Sequence, residues 1–334
     1  MKTLTNMEIL DTTLRDGSYV IDFKFNSIQT YEIAKRLDNA GFPYIEIGHG
    51  LGLGATKRPG MIGGSSDEGW LESASSAVQK GKWGMFFIPG IGDFNDIDIA
   101  CKYKMNFIRI GANVDSFEKA EPYIRYAKEK GLFVCANFMK TYALGYEEVG
   151  RVAARASSYG ADLNCIVDSA GAMLPSDVEG YITAIRNETD KKIGFHGHNN
   201  LGMANINSIR AYEMGLDILD TSLRGMARSA GNTVTEIFLL TMKRMGVDFG
   251  YDIFSIMDIA EQFIDPLMAG YRQVDSESIL SGFAKFHSSF APIIHRISEL
   301  YEVDPRAVIV ELCKVDCINA EEKLVEQIAK GLIK

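Results

Sequence analysis

The chain has 334 residues, of which 46% are hydrophobic and 24% charged, so it can bury a large core and belongs to the globular class. Its 44 acidic and 35 basic residues give a net charge of −9, which argues against nucleic acid as a partner but allows a local basic pocket for an acidic small molecule. The sequence lacks an apolar run of membrane-spanning length, and residues 1–17 do not resemble a secretory signal, so we expect a cytoplasmic protein without a membrane partner.

Short runs of β-branched and aromatic residues alternate with amphipathic helical stretches along the first 250 residues. The helical stretches include 27–41 and 175–189. Eight runs are predicted as strands, at 8–15, 44–50, 83–89, 106–112, 133–139, 163–169, 193–199 and 218–224. Eight strand–helix units in about 245 residues favour a closed TIM (β/α)8 barrel, an α/β fold, over an open doubly wound sheet.

Strand signals stop near residue 250, and helical patterns continue to the end of the sequence. Asp304 followed by Pro305 is typical of a helix start. The chain is therefore expected to consist of a barrel over 1–250, which carries the functional site, and a helical C-terminal extension over 251–334. This extension could cover the barrel mouth or form an oligomer contact, and we expect a homo-oligomer.

Functional side chains of such barrels lie at the C-terminal ends of the strands and in the loops that follow. Several polar side chains of this sequence occupy those positions. They are Asp16, His49, Asn137, Asp168, His196, His198 and Arg224.

His196 and His198 lie two residues apart on a predicted strand, so both imidazoles point to one face, roughly 6.6 Å apart along it. Two histidines satisfied by ordinary hydrogen bonds would show the same spacing. Asp16 could add a carboxylate and complete a divalent metal site, with open positions that suit Mn²⁺ or Mg²⁺ better than structural zinc. Asn232 is either a helix N-cap or a contact to metal or substrate.

Three segments resemble the DRE-TIM metallolyase superfamily, which is also called HMGL-like. They are LDTTLRDG at 10–17, GFHGHNNLGMANINSI at 194–209 and SAGNTVTE at 229–236. Within that superfamily, FIPGIGD at 87–93, IVDSAGAM at 166–173 and SLRGMARSAGN at 222–232 are most similar to the 4-hydroxy-2-oxovalerate aldolase branch. The resemblance covers nearly the whole chain.

The resemblance implies a class II aldolase, a lyase that cleaves or forms a 4-hydroxy-2-oxo acid through a pyruvate enolate. It implies that Asp16, His196 and His198 are metal ligands and that Arg15 stabilises the enolate. It also implies an aldehyde dehydrogenase as a partner that receives the aldehyde. We further predict substrate contacts from four residues, which are His49, Asp168, Ser169 and Arg224.

One position departs from the aldolase pattern. Where those enzymes have a histidine as general base two residues after the glycine of the DG motif, this chain has Tyr19 after Gly17 and Ser18. Where they have a tyrosine before SSF, this chain has His287. We therefore hypothesise that His287 acts as base or proton relay and that Tyr19 positions the substrate hydroxyl, because histidine titrates near neutrality and tyrosine near pH 10.

Arg224 and Arg228 bring positive charge to a loop in which those aldolases have small residues. They would favour a second anionic group on the aldehyde portion, or else pair with loop carboxylates. Two other functions stay open: a Claisen-type acyl-CoA synthase or lyase of the same superfamily, which would release free thiol, and a non-catalytic metal-binding homologue.

Overall fold

The computed structural model describes residues 7–271 and 273–333 and confirms the barrel. In these residues, eight parallel strands pair in chain order, and β1 closes the ring by pairing with β8. The strands are β1 (Glu8–Asp11), β2 (Tyr44–Ile47), β3 (Lys82–Phe87), β4 (Phe107–Asn113), β5 (Phe133–Met139), β6 (Leu163–Asp168), β7 (Lys192–Gly197) and β8 (Ile218–Thr221). The closed ring brings the C-terminal ends of all eight strands to one mouth.

Helices cover the outside of the ring. They are α1 (Ser27–Asn39), α2 (Asp67–Ala77), α3 (Phe94–Lys102), α4 (Glu121–Glu129), α5 (Tyr146–Tyr159), α6 (Pro175–Glu188), α7 (Ala204–Glu213) and α8 (Thr235–Arg244). Local sequence explains where they begin: Asn26 and Gln29 form a reciprocal capping box at the start of α1. The apolar faces of the helices pack on strands that are almost entirely buried, which is the pattern of a parallel sheet enclosed on its outer side.

Strand β1 is shorter than predicted, because its last residue starts a turn. The Asp11 carboxylate accepts hydrogen bonds from the Thr13 N–H at 3.0 Å and the Thr13 hydroxyl at 2.9 Å. This side-chain turn competes with strand pairing and ends the strand at Asp11. A short 3₁₀ helix, Asp16–Ile21, follows. The predicted strand end therefore becomes a compact segment that carries Arg15, Asp16 and Tyr19 at the mouth.

Helical structure continues after α8, as predicted, in α9 (Ile253–Ile259), α10 (Ser276–Ala284), α11 (Ala291–Leu300), α12 (Pro305–Cys313) and α13 (Glu322–Gly331). Asp304 caps α12 by accepting a hydrogen bond from the Arg306 N–H. The boundary at residue 250 stays a prediction: Ile256 and Ile259 of α9 pack into the barrel core. A separate hydrophobic core draws its buried side chains from residue 286 onward.

None of the helices within the described ranges is long and apolar enough to cross a membrane.

Candidate metal centre and substrate cavity

Nine of the predicted site residues line a cavity of about 560 Å³ at the barrel mouth. Strand ends form its floor, and residues 287–289, between α10 and α11, form part of its wall. The C-terminal extension therefore reaches the site. The predicted residues that line the cavity are Arg15, Asp16, Tyr19, Asn137, Ser169, His196, His198, Arg228 and His287.

Three buried groups form a cluster with the spacing of a metal site. Oδ2 of Asp16 lies 3.4 Å from Nε2 of His196 and 3.8 Å from Nε2 of His198, and the two Nε2 atoms are 3.3 Å apart. Each ligand atom lies within 4.8 Å of the other two. Because all three side chains are at least 96% buried, their carboxylate and imidazole groups have little access to water that could satisfy them.

The outer nitrogens of both imidazoles are held in place by acceptors. Nδ1 of His196 lies 2.9 Å from Oδ2 of Asp220, and Nδ1 of His198 lies 3.1 Å from the carbonyl oxygen of Gly231. An acceptor at Nδ1 places the proton of a neutral imidazole there and leaves the Nε2 lone pair free. Two such lone pairs facing each other beside a carboxylate need a positive charge between them, which either a proton on His196 or a divalent metal ion supplies. Burial lowers the pKa of His196, but Asp16 and Asp220 raise it by more, so a bound metal ion would take the place of that proton.

The backbone of Gly231 is adapted to this contact. Its φ is +81°, and a Cβ atom there would lie 2.4 Å from the carbonyl oxygen of Gly225. Only glycine fits this position without displacement of the loop. The loop after β8 thus presents a carbonyl group to His198.

The charges around the cluster also prepare it for a cation. Burial raises the pKa of Asp16, but Arg15 and the two imidazoles lower it by a larger amount. The pKa therefore lies well below its ordinary value. Burial, aided by Arg228, holds the pKa of His198 well below 6.5. Asp16 is therefore ionised and His198 neutral at physiological pH, which are the protonation states that bind a metal.

Asn232 contacts the cluster through Asp16. Its Nδ2 donates to Oδ2 of Asp16 at 3.1 Å and, more weakly, to Oγ1 of Thr12 at 3.4 Å. Its Oδ1 accepts a short hydrogen bond from the Ser222 hydroxyl. Asn232 therefore orients the carboxylate of Asp16, and its role as a direct metal ligand stays a prediction.

Arg15 lies beside the cluster and is held by two carboxylates. Its guanidinium donates to Asp16 at 2.9 Å and to Glu46 at 2.8 Å, and it lies over the ring of Phe86 at 4.8 Å. These contacts fix a permanent positive charge at the cavity wall, next to the cluster of Asp16, His196 and His198.

Tyr19 and His287 line the same cavity although 268 residues separate them in sequence. Burial raises the pKa of Tyr19 to about 12, so its hydroxyl stays protonated. Burial, with the positive charges of Arg228 and Lys140, holds the pKa of His287 well below 6.5. The Ser289 N–H donates to Nδ1 of His287 at 3.2 Å, which places the proton of the neutral ring on Nε2.

Comparisons with known proteins show the family of this chain. Residues 6–263 match the HMGL-like family. The 4-hydroxy-2-oxovalerate aldolase of Carboxydothermus hydrogenoformans is 34% identical over 328 residues, or 98% of each chain. The enzyme of that name from Moorella thermoacetica is 35% identical over 327 residues, or 98% of this chain and 97% of its own. The chain belongs to the HMGL-like family. The resemblance drawn from its motifs is confirmed.

This HMGL-like chain also matches the DmpG-like communication domain over residues 272–334, which places a second family unit in the C-terminal extension. Among solved structures, the carboxyl transferase domain of Rhizobium etli pyruvate carboxylase superposes with a TM-score of 0.79 at 15% identity. That match covers 98% of this chain and 60% of the other, and it shows a shared fold.

Two predicted substrate contacts of the HMGL-like barrel lie next to each other at the end of β6. The Asp168 carboxylate accepts hydrogen bonds from the N–H groups of Ala172 and Met173, each at 3.0 Å, so it shapes the following loop. Burial raises its pKa to about 6. Ser169 lines the cavity, and its hydroxyl accepts a hydrogen bond from the Lys140 N–H at 2.9 Å.

Three of the four predicted substrate contacts, Arg224, His49 and Asp168, are not among the residues that line the cavity. Arg224 pairs with Glu236 at 3.0 Å and with Asp265 at 2.8 Å. The sequence analysis left two roles open for Arg224, and the structure shows the second, pairing with carboxylates. His49 is buried, its ring stacks on Phe23 at 3.9 Å, and its Nδ1 accepts from the Leu51 N–H at 3.1 Å.

The sequence analysis missed a charged layer inside the HMGL-like barrel. Arg109 on β4 donates to Glu46 on β2 at 2.8 Å and forms a short pair with Asp220 on β8. Glu46 also binds Arg15, and Asp220 also binds His196, so the layer connects two groups of the cavity. A signal was available: each of the three residues is a charge inside one of the eight runs predicted as strands.

Proposed function

We propose that this protein is a divalent-metal-dependent aldolase that cleaves a 4-hydroxy-2-oxo acid into pyruvate and an aldehyde, or joins them in reverse. The observation that carries the proposal is the buried Asp16, His196 and His198 cluster beside Arg15 in one cavity. The names of the relatives support the reaction class.

Asp16, His196 and His198 would hold the cation, and Asn232 would orient Asp16 or act as a further ligand. Two nitrogens and one carboxylate oxygen leave positions open for water and substrate, and favour Mn²⁺ or Mg²⁺. When bound, such a cation supplies Lewis-acid polarisation of a keto oxygen.

The remaining residues act on the substrate. Arg15 stabilises the negative charge that develops on the enolate oxygen of pyruvate, because its guanidinium is fixed at the cavity wall. Ser169 contacts the substrate from the end of β6. Tyr19 positions the C4 hydroxyl group, and His287 accepts or relays the proton of that hydroxyl.

The match to a communication domain supports a partner. We propose that residues 272–334 mediate contact with an aldehyde dehydrogenase that consumes the aldehyde. Assembly with further copies of this chain and a cytoplasmic location stay predictions.

The test is cleavage of 4-hydroxy-2-oxopentanoate by the purified protein, with pyruvate detected by coupling to lactate formation. We expect activity with Mn²⁺, loss of activity after chelation and recovery on adding the metal back. His196→Ala should abolish it. Equal activity after exhaustive chelation, or release of free thiol from an acyl-CoA in place of pyruvate, would refute the proposal.

A further inference from the structure

Arg228 is a cation of the cavity wall that the proposed mechanism does not use. Its Nη1 donates to the Ser288 hydroxyl at 3.0 Å, and its Nη2 donates to the carbonyl oxygen of Ser169 at 2.9 Å. Both acceptors are neutral. Within residues 7–271 and 273–333, no carboxylate lies within the 4.0 Å of an ion pair with Arg228. By contrast, the other arginine of the cavity, Arg15, is held by Asp16 and Glu46.

A second cation, Lys140, lies next to Ser169 but is not among the residues that line the cavity. Lys140 is 95% buried, its ammonium group donates to the carbonyl oxygen of Ile318, and it lies 4.8 Å from the centre of the Phe290 ring. Its backbone N–H binds the hydroxyl of Ser169, the residue whose carbonyl oxygen binds Arg228. Arg228 and Lys140 are therefore joined through Ser169.

The charge without a partner on this side belongs to Arg228, because Asp115 and Asp316 offset the charge of Lys140. Burial lowers the pKa values of His287 and Lys140, and Arg228 lowers both further, whereas Asp115 and Asp316 oppose the shift at Lys140. A cation that faces a cavity without a counter-ion is costly unless an anion joins it there. A guanidinium has five N–H donors, and the two contacts above use two of them.

The hydrogen bonds of Arg228 indicate which part of the substrate it meets. The keto acid end of the substrate belongs at the cluster and at Arg15. Arg228 instead contacts Ser288, beside His287, on the wall that the C-terminal extension provides. The C4 end of a bound substrate extends toward that wall, because His287 is assigned to the C4 hydroxyl group.

We infer that Arg228 binds a second anionic group carried by the aldehyde-derived half of the substrate, so that the substrate is a 4-hydroxy-2-oxo acid with a terminal carboxylate or phosphate. This inference rests on the proposed function. Cleavage breaks the C3–C4 bond: its electron pair stays on C3 as the pyruvate enolate, the hydroxyl proton passes to the base, and C4 leaves as an aldehyde that keeps the anionic group. Protonation of C3 then gives pyruvate.

The experiment measures condensation with saturating pyruvate and Mn²⁺ using three aldehydes: pentanal, succinic semialdehyde and glycolaldehyde phosphate. We expect kcat/KM at least tenfold higher for one or both anionic aldehydes than for pentanal, and the preferred one identifies carboxylate or phosphate. Arg228→Met should lower kcat/KM for that aldehyde by about 10- to 100-fold more than for pentanal, because a charge-assisted hydrogen bond made only by the anionic aldehyde is lost. Arg228→Lys should retain part of the preference.

Arg224→Met is the matched control, since it removes an arginine of the same loop that pairs with Glu236 and Asp265. It should change kcat/KM by the same factor for all three aldehydes. Equal use of the three by the wild type, or an equal loss with all three in Arg228→Met, overturns the inference.

Exchange of the pyruvate methyl protons with D2O requires the metal site and a proton acceptor but no aldehyde. If the protein exchanges these protons but uses charged and neutral aldehydes equally well, only the role of Arg228 is refuted. If it does not exchange them, both the proposed function and this inference are refuted. If Arg228→Met fails to fold, the aldehyde preference of the wild type and of Arg228→Lys decides.

Discussion

Nδ1 of His196 donates to Oδ2 of Asp220 at 2.9 Å, and the same carboxylate oxygen binds Arg109. Asp220 thus connects a proposed metal ligand to the charged layer inside the barrel. The contact fixes which imidazole nitrogen of His196 faces Asp16 and His198.

Asp220→Asn should weaken Mn²⁺ binding by about 10- to 100-fold, because a neutral amide orients the imidazole of His196 less well than a carboxylate. The Kd for Mn²⁺, measured by titration calorimetry or electron paramagnetic resonance, checks this without reference to activity. Asp217→Asn is the control, since the Asp217 carboxylate binds the Ile193 N–H at the opposite end of the barrel. Its Kd should equal that of the wild type, and equal Kd values in all three proteins would contradict a positioning role for Asp220.

Arg109→Met should lower the free energy of unfolding by about 3–5 kcal/mol, because it leaves Glu46 and Asp220 buried without their shared cation. Urea denaturation measures the change. Adding Glu46→Gln to this variant should restore part of the loss by removing one of the two buried carboxylates that lost Arg109. Glu46→Gln alone provides the reference. If adding it to Arg109→Met lowers the free energy of unfolding by as much as it does in the wild type, Arg109 and Glu46 are not coupled.

His287→Gln should slow aldol cleavage by about 10²- to 10⁴-fold, the usual contribution of a general base, while the Kd for Mn²⁺ stays unchanged. Steady-state kinetics and metal titration separate the two effects. Tyr19→Phe should cause a smaller loss that falls mainly on KM, because it removes only a positioning hydroxyl group. Full cleavage activity in His287→Ala, alongside an inactive His196→Ala, would refute the exchanged roles of Tyr19 and His287.

His49 gives the fold a stability that depends on pH. Burial lowers its pKa from 6.5 to about 4, so the folded state keeps the ring neutral where the unfolded chain protonates it. The stability is present above pH 6.5 and is lost as the pH falls toward 4. His49→Gln cannot titrate, so between these pH values the wild type should lose unfolding free energy relative to this variant. Urea denaturation at intervals of half a pH unit tests this, and parallel curves would contradict it.

The barrel could be predicted because its signals are local. Each strand is a short apolar run, each helix follows the periodicity of its own residues, and caps such as Asn26 and Asp304 mark where helices begin. The HxH pair was readable for the same reason, because residues two apart on a strand share a face.

Contacts between distant strands left a weaker signal. Glu46 lies 63 residues before Arg109, and Asp220 lies 111 residues after it. Each looked like a single charge in an apolar run. Only the closure of the barrel brings them together, because alternate strands direct one layer of side chains into the same interior.

Local patterns along the chain were enough to predict the number and order of the strands, the helical extension and the residue types available for a metal ion, since these depend on neighbouring residues. Only the tertiary structure shows which arginine side chains reach the cavity. Arg224 and Arg228 are four residues apart in one loop, yet Arg224, with φ of +56°, pairs with Glu236 and Asp265 while Arg228 lines the site. The path of that loop, and the carboxylates that other helices place beside it, set the direction of each guanidinium.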